Sequence, residues 1–164
     1  TLVGLLAGGL WITPKIGKLS TARLGCWLII ISLVLLILSG FHGKAEVLYF
    51  LMVIFGLAAG IATNSALSLM LDLTLPEVAG TFVGIWGLAQ ALSRALGKIL
   101  GGGLLDIGRN IVGNENDLLA FSFVFIVETI IMIFAVMILK KININQFRED
   151  TATSLESLMM SDLE

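Results

Sequence analysis

Two stretches of this chain carry no charge at all, Leu24–Phe41 and Val47–Leu71. Each reaches the roughly 18–20 residues that an α-helix needs to cross the hydrocarbon of a bilayer. Only a short loop, Phe41–Glu46, separates them, so they read as consecutive antiparallel helices. Composition removes the option of burying both runs in a soluble core. Of 164 residues, 57% are hydrophobic and 13% charged, against about 45–50% and about 25% for soluble domains. A compact domain of this size has too little interior for that much apolar surface. The chain therefore reads as an all-α integral membrane protein, with the lipid bilayer as its first partner.

Hydropathy divides residues 1–139 into five segments: Thr1–Ile12, Leu24–Gly40, Val47–Leu71, Val78–Leu105 and Leu118–Leu139. The first is too short to span alone and reads as the end of a helix that starts earlier, so the chain is expected to be the C-terminal piece of a longer protein. Thr13–Arg23, with Pro14 and Gly17, reads as a basic loop. In the turn Asp72–Glu77, Thr74, Pro76 and Glu77 spell a helix start, with Thr74 as cap and Glu77 closing a capping box. Asp106–Asp117 reads as a polar loop, and 140–164 as a polar, acidic tail. Within the tail, Thr153–Glu156 resembles a second capping box. Leu155, Leu158, Met159 and Leu163 offer an apolar side to a short helix, against a flexible, solvated alternative.

Cations set the orientation. Lys15, Lys18, Arg23, Lys140, Lys141 and Arg148 lie on one side, Lys44 and Arg109 on the other. The positive-inside rule places the first group, and the C-terminus, in the cytoplasm. One cysteine, Cys26, excludes an internal disulfide and a cysteine metal cluster. One histidine, His42, excludes a His-rich site. Gly101-Gly-Gly103 lacks the Lys-Ser/Thr of a phosphate cradle and sits inside a span, so its glycines read as permitting close helix contact. No nucleophile–base pair, nucleotide motif or nucleic-acid-binding pattern is visible, and the chain is not read as an enzyme.

The stretch Leu69–Asp106 is the informative one. At 100° per residue, Gly80, Val83, Gly87, Gln90, Ala91, Gly97, Lys98, Gly101 and Leu105 share a side with Arg94. Phe82, Ile85, Leu88, Leu92, Leu96, Ile99 and Leu100 take the other. In a membrane the bulky side faces lipid, while the small and charged side faces other helices or a cavity. On the third segment, Gly56, Gly60, Asn64 and Ser68 recur every four residues. They form a packing stripe in which Asn64 is also a candidate cavity residue.

A charge at the bilayer centre costs at least about 2.5–3.5 kcal/mol, so it generally has a partner or a task. Arg94 precedes Leu105 by eleven residues and Glu128 follows Leu118 by ten. Both then lie about 15–17 Å from one end of their antiparallel spans. This depth match predicts an Arg94–Glu128 ion pair, with Lys98 sharing Glu128 or reaching outward. Three roles stay open for the pair. It either fixes helix register, or lines a translocation path or pocket, or leaves Glu128 to lipid or an unseen partner.

The run from Leu71 to Arg94, with Asp72, Thr74, Glu77, Gly80, Gly84, Trp86, Gly87 and Gln90 in the order Asp…Thr…Glu…Ala-Gly…Gly-x-Trp-Gly-x-Ala-Gln-Ala, resembles the PucC family. That family is a branch of the major facilitator superfamily in phototrophic bacteria and cyanobacteria. The loop Gly9–Arg23 is similar in position to the basic loop after the superfamily's eighth helix, without its Asp-Arg core. The resemblance implies a twelve-helix transporter fold, of which this chain supplies about helices eight to twelve, with the N-terminal half of the same protein as a partner. It implies a photosynthetic or cytoplasmic membrane, and a role in assembling light-harvesting complexes by delivering chlorophyll or bacteriochlorophyll to antenna proteins. In that version Glu128 offers an oxygen to the pigment's magnesium, which prefers oxygen ligands, and Arg94 neutralises it. Bottom-up, the alternative is a secondary transporter of a small solute or protons. A scaffold without a ligand is a third.

Overall fold

The computed structural model describes residues 1–72, 74, 79–113 and 117–141. Every element among them is helical. Helix α1 (Leu2–Ala7) runs through a π-helical turn (Gly8–Ile12) into α2 (Thr13–Ile16). Four long helices follow: α3 (Lys18–His42), α4 (Ala45–Asp72), α5 (Ala79–Val112) and α6 (Asp117–Leu139). Three of them, α3, α4 and α6, are long and apolar enough to cross a membrane. Helix α5 spans about 51 Å at 1.5 Å per residue, with Arg94 and Lys98 interrupting its apolar course.

The stretch read as a loop, Thr13–Arg23, is helical on both sides of a single break at Gly17, whose φ of 83° ends α2 and starts α3. Pro14 explains the widened turn before it. Its ring has no N–H to give to the carbonyl of Leu10 and crowds it, so the helix opens there by one residue. Likewise, much of the expected loop after Leu105 continues α5 to Val112. Asp106, Arg109 and Asn110 are tolerated because they stand at the helix's end, where polar side chains reach out of the hydrocarbon. Thr74 also departs from its expected role. Its hydroxyl donates back to the Met70 carbonyl at 2.7 Å, satisfying an acceptor at the end of α4 rather than a donor of the following helix. Glu77, the other half of that capping box, and the tail box Thr153–Glu156 lie outside the described residues.

Helix α3 is the centre of the bundle, packed against α4 on one side and α6 on another. Ile29 and Leu33 of α3 meet Ala58 of α4, and Phe125 and Met132 of α6 close over them. The helices come together where side chains are small. A Cβ placed on Gly25 would stand 2.8 Å from the Ala62 backbone nitrogen, and one on Gly60 would run into Thr1, Gly4 and Leu5 of the first helix. Gly56, Gly60 and Asn64 of the ladder thus pack against the first helix and the π turn. Buried hydroxyls donate to carbonyls of their own helices: Ser32 to Leu28, Ser65 to Ile61, Ser122 to Leu118. That keeps polar atoms satisfied where no water is at hand.

Candidate functional site

The seam between α5 and α6 is fixed at one end. Gly108 is the only fully buried residue described on α5, and a Cβ there would stand 3.2 Å from Cα of Ala120. Beside it, Arg109 Nε donates to Asp117 Oδ1 at 2.9 Å, tying the end of one helix to the start of the next. Among the described residues, helix α5 has its substantial contacts with α6, and Gly101, Leu104 and Leu105 toward its last turns are half-buried.

Further back along α5 the stripe continues in the same helical phase through Gly97, Arg94 and Gln90. Gln90 and Trp86 are half-buried, whereas Arg94 and Lys98 are exposed. Apart from the helix's own neighbouring backbone, no described atom comes within 4 Å of where a Cβ would stand on Gly80, Gly84, Gly87, Gly97 or Gly101–Gly103. None of the α5 glycines expected to make close contact does so with a described residue, and the close approach on this helix is at Gly108 instead. The bulky side, from Phe82 to Leu100, is exposed as well. The described part of α5 presents an uncovered helix over most of its length.

Arg94 and Glu128 do not form the expected ion pair. Among the described residues the ion pairs are Lys18–Asp72 and Arg109–Asp117. Register explains the difference. The depth estimate counted from Leu105 and Leu118, but α5 runs on to Val112 and its Gly108 opposes Ala120. Lys98 lies eleven residues before Arg109, and Glu128 eleven after Asp117. Both intervals are close to three turns, so on straight, adjacent helices Lys98 and Glu128 would fall in the Arg109–Asp117 relation on the same flank, about 16 Å further along. Arg94 lies one turn beyond that level. Glu128 is half-buried on α6, between Phe125 and Met132 in sequence, and makes no hydrogen bond with a described residue.

Asn64 lies elsewhere. Its amide nitrogen is buried without a hydrogen-bond partner and stands 3.1 Å from where a Cβ on Gly9 would be, against the π turn. The structure thus groups Gln90, Arg94 and Lys98 on α5, places Glu128 across the seam, and leaves Asn64 in the α1–α4 interface. Of the motif residues, Asp72 acquires a partner that the sequence did not announce. Lys18 Nζ donates to its carboxylate at 2.6 Å across 54 positions. Lys18 counted only as an orienting charge in the sequence. The signal that could have found it is the antiparallel α3–α4 hairpin, which brings the first turn of one helix to the last of the other.

The family model described as PUCC protein matches residues 1–147. No curated protein and no solved structure matches the chain. The matched residues run through every helix described above, from the π turn to the α5–α6 seam, and the chain belongs to the PucC family.

Proposed function

We propose that the protein assists the assembly of light-harvesting complexes by binding chlorophyll or bacteriochlorophyll and handing it to antenna proteins. Family membership across 147 residues is the observation that carries this reading. The chain then supplies about helices eight to twelve of a twelve-helix major facilitator fold, in a photosynthetic or cytoplasmic membrane, with its C-terminus in the cytoplasm. Helix α5 crosses the membrane beside the N-terminal half of the protein, and its Gly/Arg stripe faces that half.

Residues at the α5–α6 seam fit a pigment as cargo. Glu128 is a half-buried carboxylate on an apolar helix, and its oxygens are of the kind magnesium prefers. Lys98 and Arg94 on α5 offset its charge in the low-dielectric interior, and Gln90 adds a neutral amide. Asn64, apart from the seam, serves packing of the first helix.

A second reading, transport of a small solute or protons, is favoured by the same carboxylate, because an intramembrane Glu without an ion-pair partner among the described residues suits a proton relay. Absorbance of the gently purified full-length protein separates the two. Co-purified pigment that is lost in Glu128→Gln supports pigment delivery. Absence of pigment in every preparation, with proton-coupled uptake into vesicles abolished by Glu128→Gln, replaces it with transport.

A further inference from the structure

A cavity of about 460 Å³ opens where α3 ends, α4 begins and α6 begins. Its size lies within the range of about 300–1,000 Å³ typical of small-molecule sites. Leu36, Leu48, Met52, Leu118, Phe121 and Phe125 supply most of the wall. Two hydroxyls, Ser39 and Ser122, also line it, but both donate to carbonyls of their own helices, Leu36 and Leu118. They leave the wall effectively apolar.

One cation completes the lining, Lys44. It sits in the two-residue connection between His42 and Ala45, beside Gly43, whose left-handed φ of 65° turns the chain there. Lys44 is exposed and takes no part in the ion pairs among the described residues. Two of the described acids lie close in sequence to the site. Asp117 is engaged by Arg109, and Glu46, one position beyond the lining residue Ala45, does not line the cavity. Among the described residues, the cavity therefore pairs an apolar body with one positive charge that no acid engages.

Position identifies the occupant. The helix ends at His42, Ala45 and Asp117 put Lys44 at the level of lipid headgroups. Met52 and Phe125 lie seven and eight residues inside their helices, so the cavity reaches about 11 Å inward, within one leaflet of a hydrocarbon core about 30 Å thick. The apolar wall gives water few partners, and the medium beside it is lipid. We infer that the cavity at the α3–α4 turn seats an acyl chain of a phospholipid from the surrounding leaflet, and that Lys44 selects an anionic headgroup. This site is distinct from the α5–α6 seam and independent of pigment binding.

The test uses full-length protein made in a host without pigment, exchanged into nanodiscs of phosphatidylglycerol and phosphatidylcholine in equal amounts and released for native mass spectrometry. Wild-type protein is expected to retain phosphatidylglycerol about five-fold over phosphatidylcholine, the effect of one near-surface cation. Lys44→Gln is expected to retain lipid without preference, and Lys44→Arg to keep the preference. Met52→Trp, which fills the cavity, is expected to lose retained lipid of both kinds. Leu48→Phe, a milder filling, serves the same purpose if the larger change fails to fold. Equal retention by the wild type, a preference surviving in Lys44→Gln, or a free fatty acid carried in place of the phospholipid would overturn the inference.

Discussion

Lys18 and Asp72 clasp the same end of the α3–α4 hairpin, the ammonium 2.6 Å from the carboxylate. Fifty-four positions separate them, so the contact closes a long loop at the point where both helices leave the hydrocarbon. The side chains keep 39% and 27% of their exposure, which limits the pair to the range of partly solvated ion pairs, about 0.2–1 kcal/mol. Lys18→Asp and Asp72→Lys are each expected to lower the thermal midpoint of the purified protein, and the double exchange to recover most of the loss. An additive loss in the double variant would mean that the two charges act separately.

Helix contact in the α1–α4 interface depends on missing methyl groups, at Gly4 of α1 and Gly60 of α4. A Cβ on Gly60 meets main-chain atoms of the first helix, and main chain cannot rotate away as a side chain does. Gly60→Ala is expected to cost about 1–3 kcal/mol, the usual range for overpacking. Gly103→Ala meets nothing and replaces a poor helix former, so it is expected to be neutral or to stabilise by up to about 1 kcal/mol. Denaturation of the two variants side by side measures the contrast.

These two contacts show what the sequence could and could not disclose. Uncharged runs marked α3 and α4, and an apolar run broken only by Glu128 marked α6, because crossing hydrocarbon demands length and apolarity before anything else. The four-residue ladder Gly56–Gly60–Asn64–Ser68 marked a packing face, because close helices need small residues at that period. Hydropathy is silent on where a helix stops in polar sequence, and α5 passes Leu105 by seven residues. That error of about two turns shifted the register against α6 and paired Glu128 with Arg94 instead of the level of Lys98. The uncovered side of α5 was equally illegible, since a sided pattern states that something small can approach, not what does.

The shifted register has a measurable consequence. Counting along the helices puts Lys98 and Glu128 in the relation of Arg109 and Asp117, three turns further along the same flank, with Arg94 about 6 Å past that level. In a Cys26→Ser background, paired cysteines at 109 and 117 are expected to cross-link most readily. Those at 98 and 128 come next and those at 94 and 128 last, since a disulfide needs Cα atoms within about 7 Å. More efficient linkage at 94 and 128 than at 98 and 128, in membranes containing the full-length protein, would reject the register.

The break at Gly17 decides how the first helix meets the bundle. Its φ of 83° and ψ of 158° lie in a region essentially restricted to glycine. A side chain there would meet open space, so strain, not crowding, sets the cost of substitution. Gly17→Ala is expected to destabilise by about 1–3 kcal/mol and to loosen the junction of α2 and α3, with faster proteolysis after Lys15 or Lys18. Gly43 is the useful comparison. Its φ of 65° and ψ of 11° fall in the left-handed region that asparagine tolerates, also facing open space. Gly43→Asn is therefore expected to change the thermal midpoint little, and Gly17→Asn to lower it as Gly17→Ala does. Equal effects at the two glycines would show that the backbone at Gly17 relaxes into an ordinary turn.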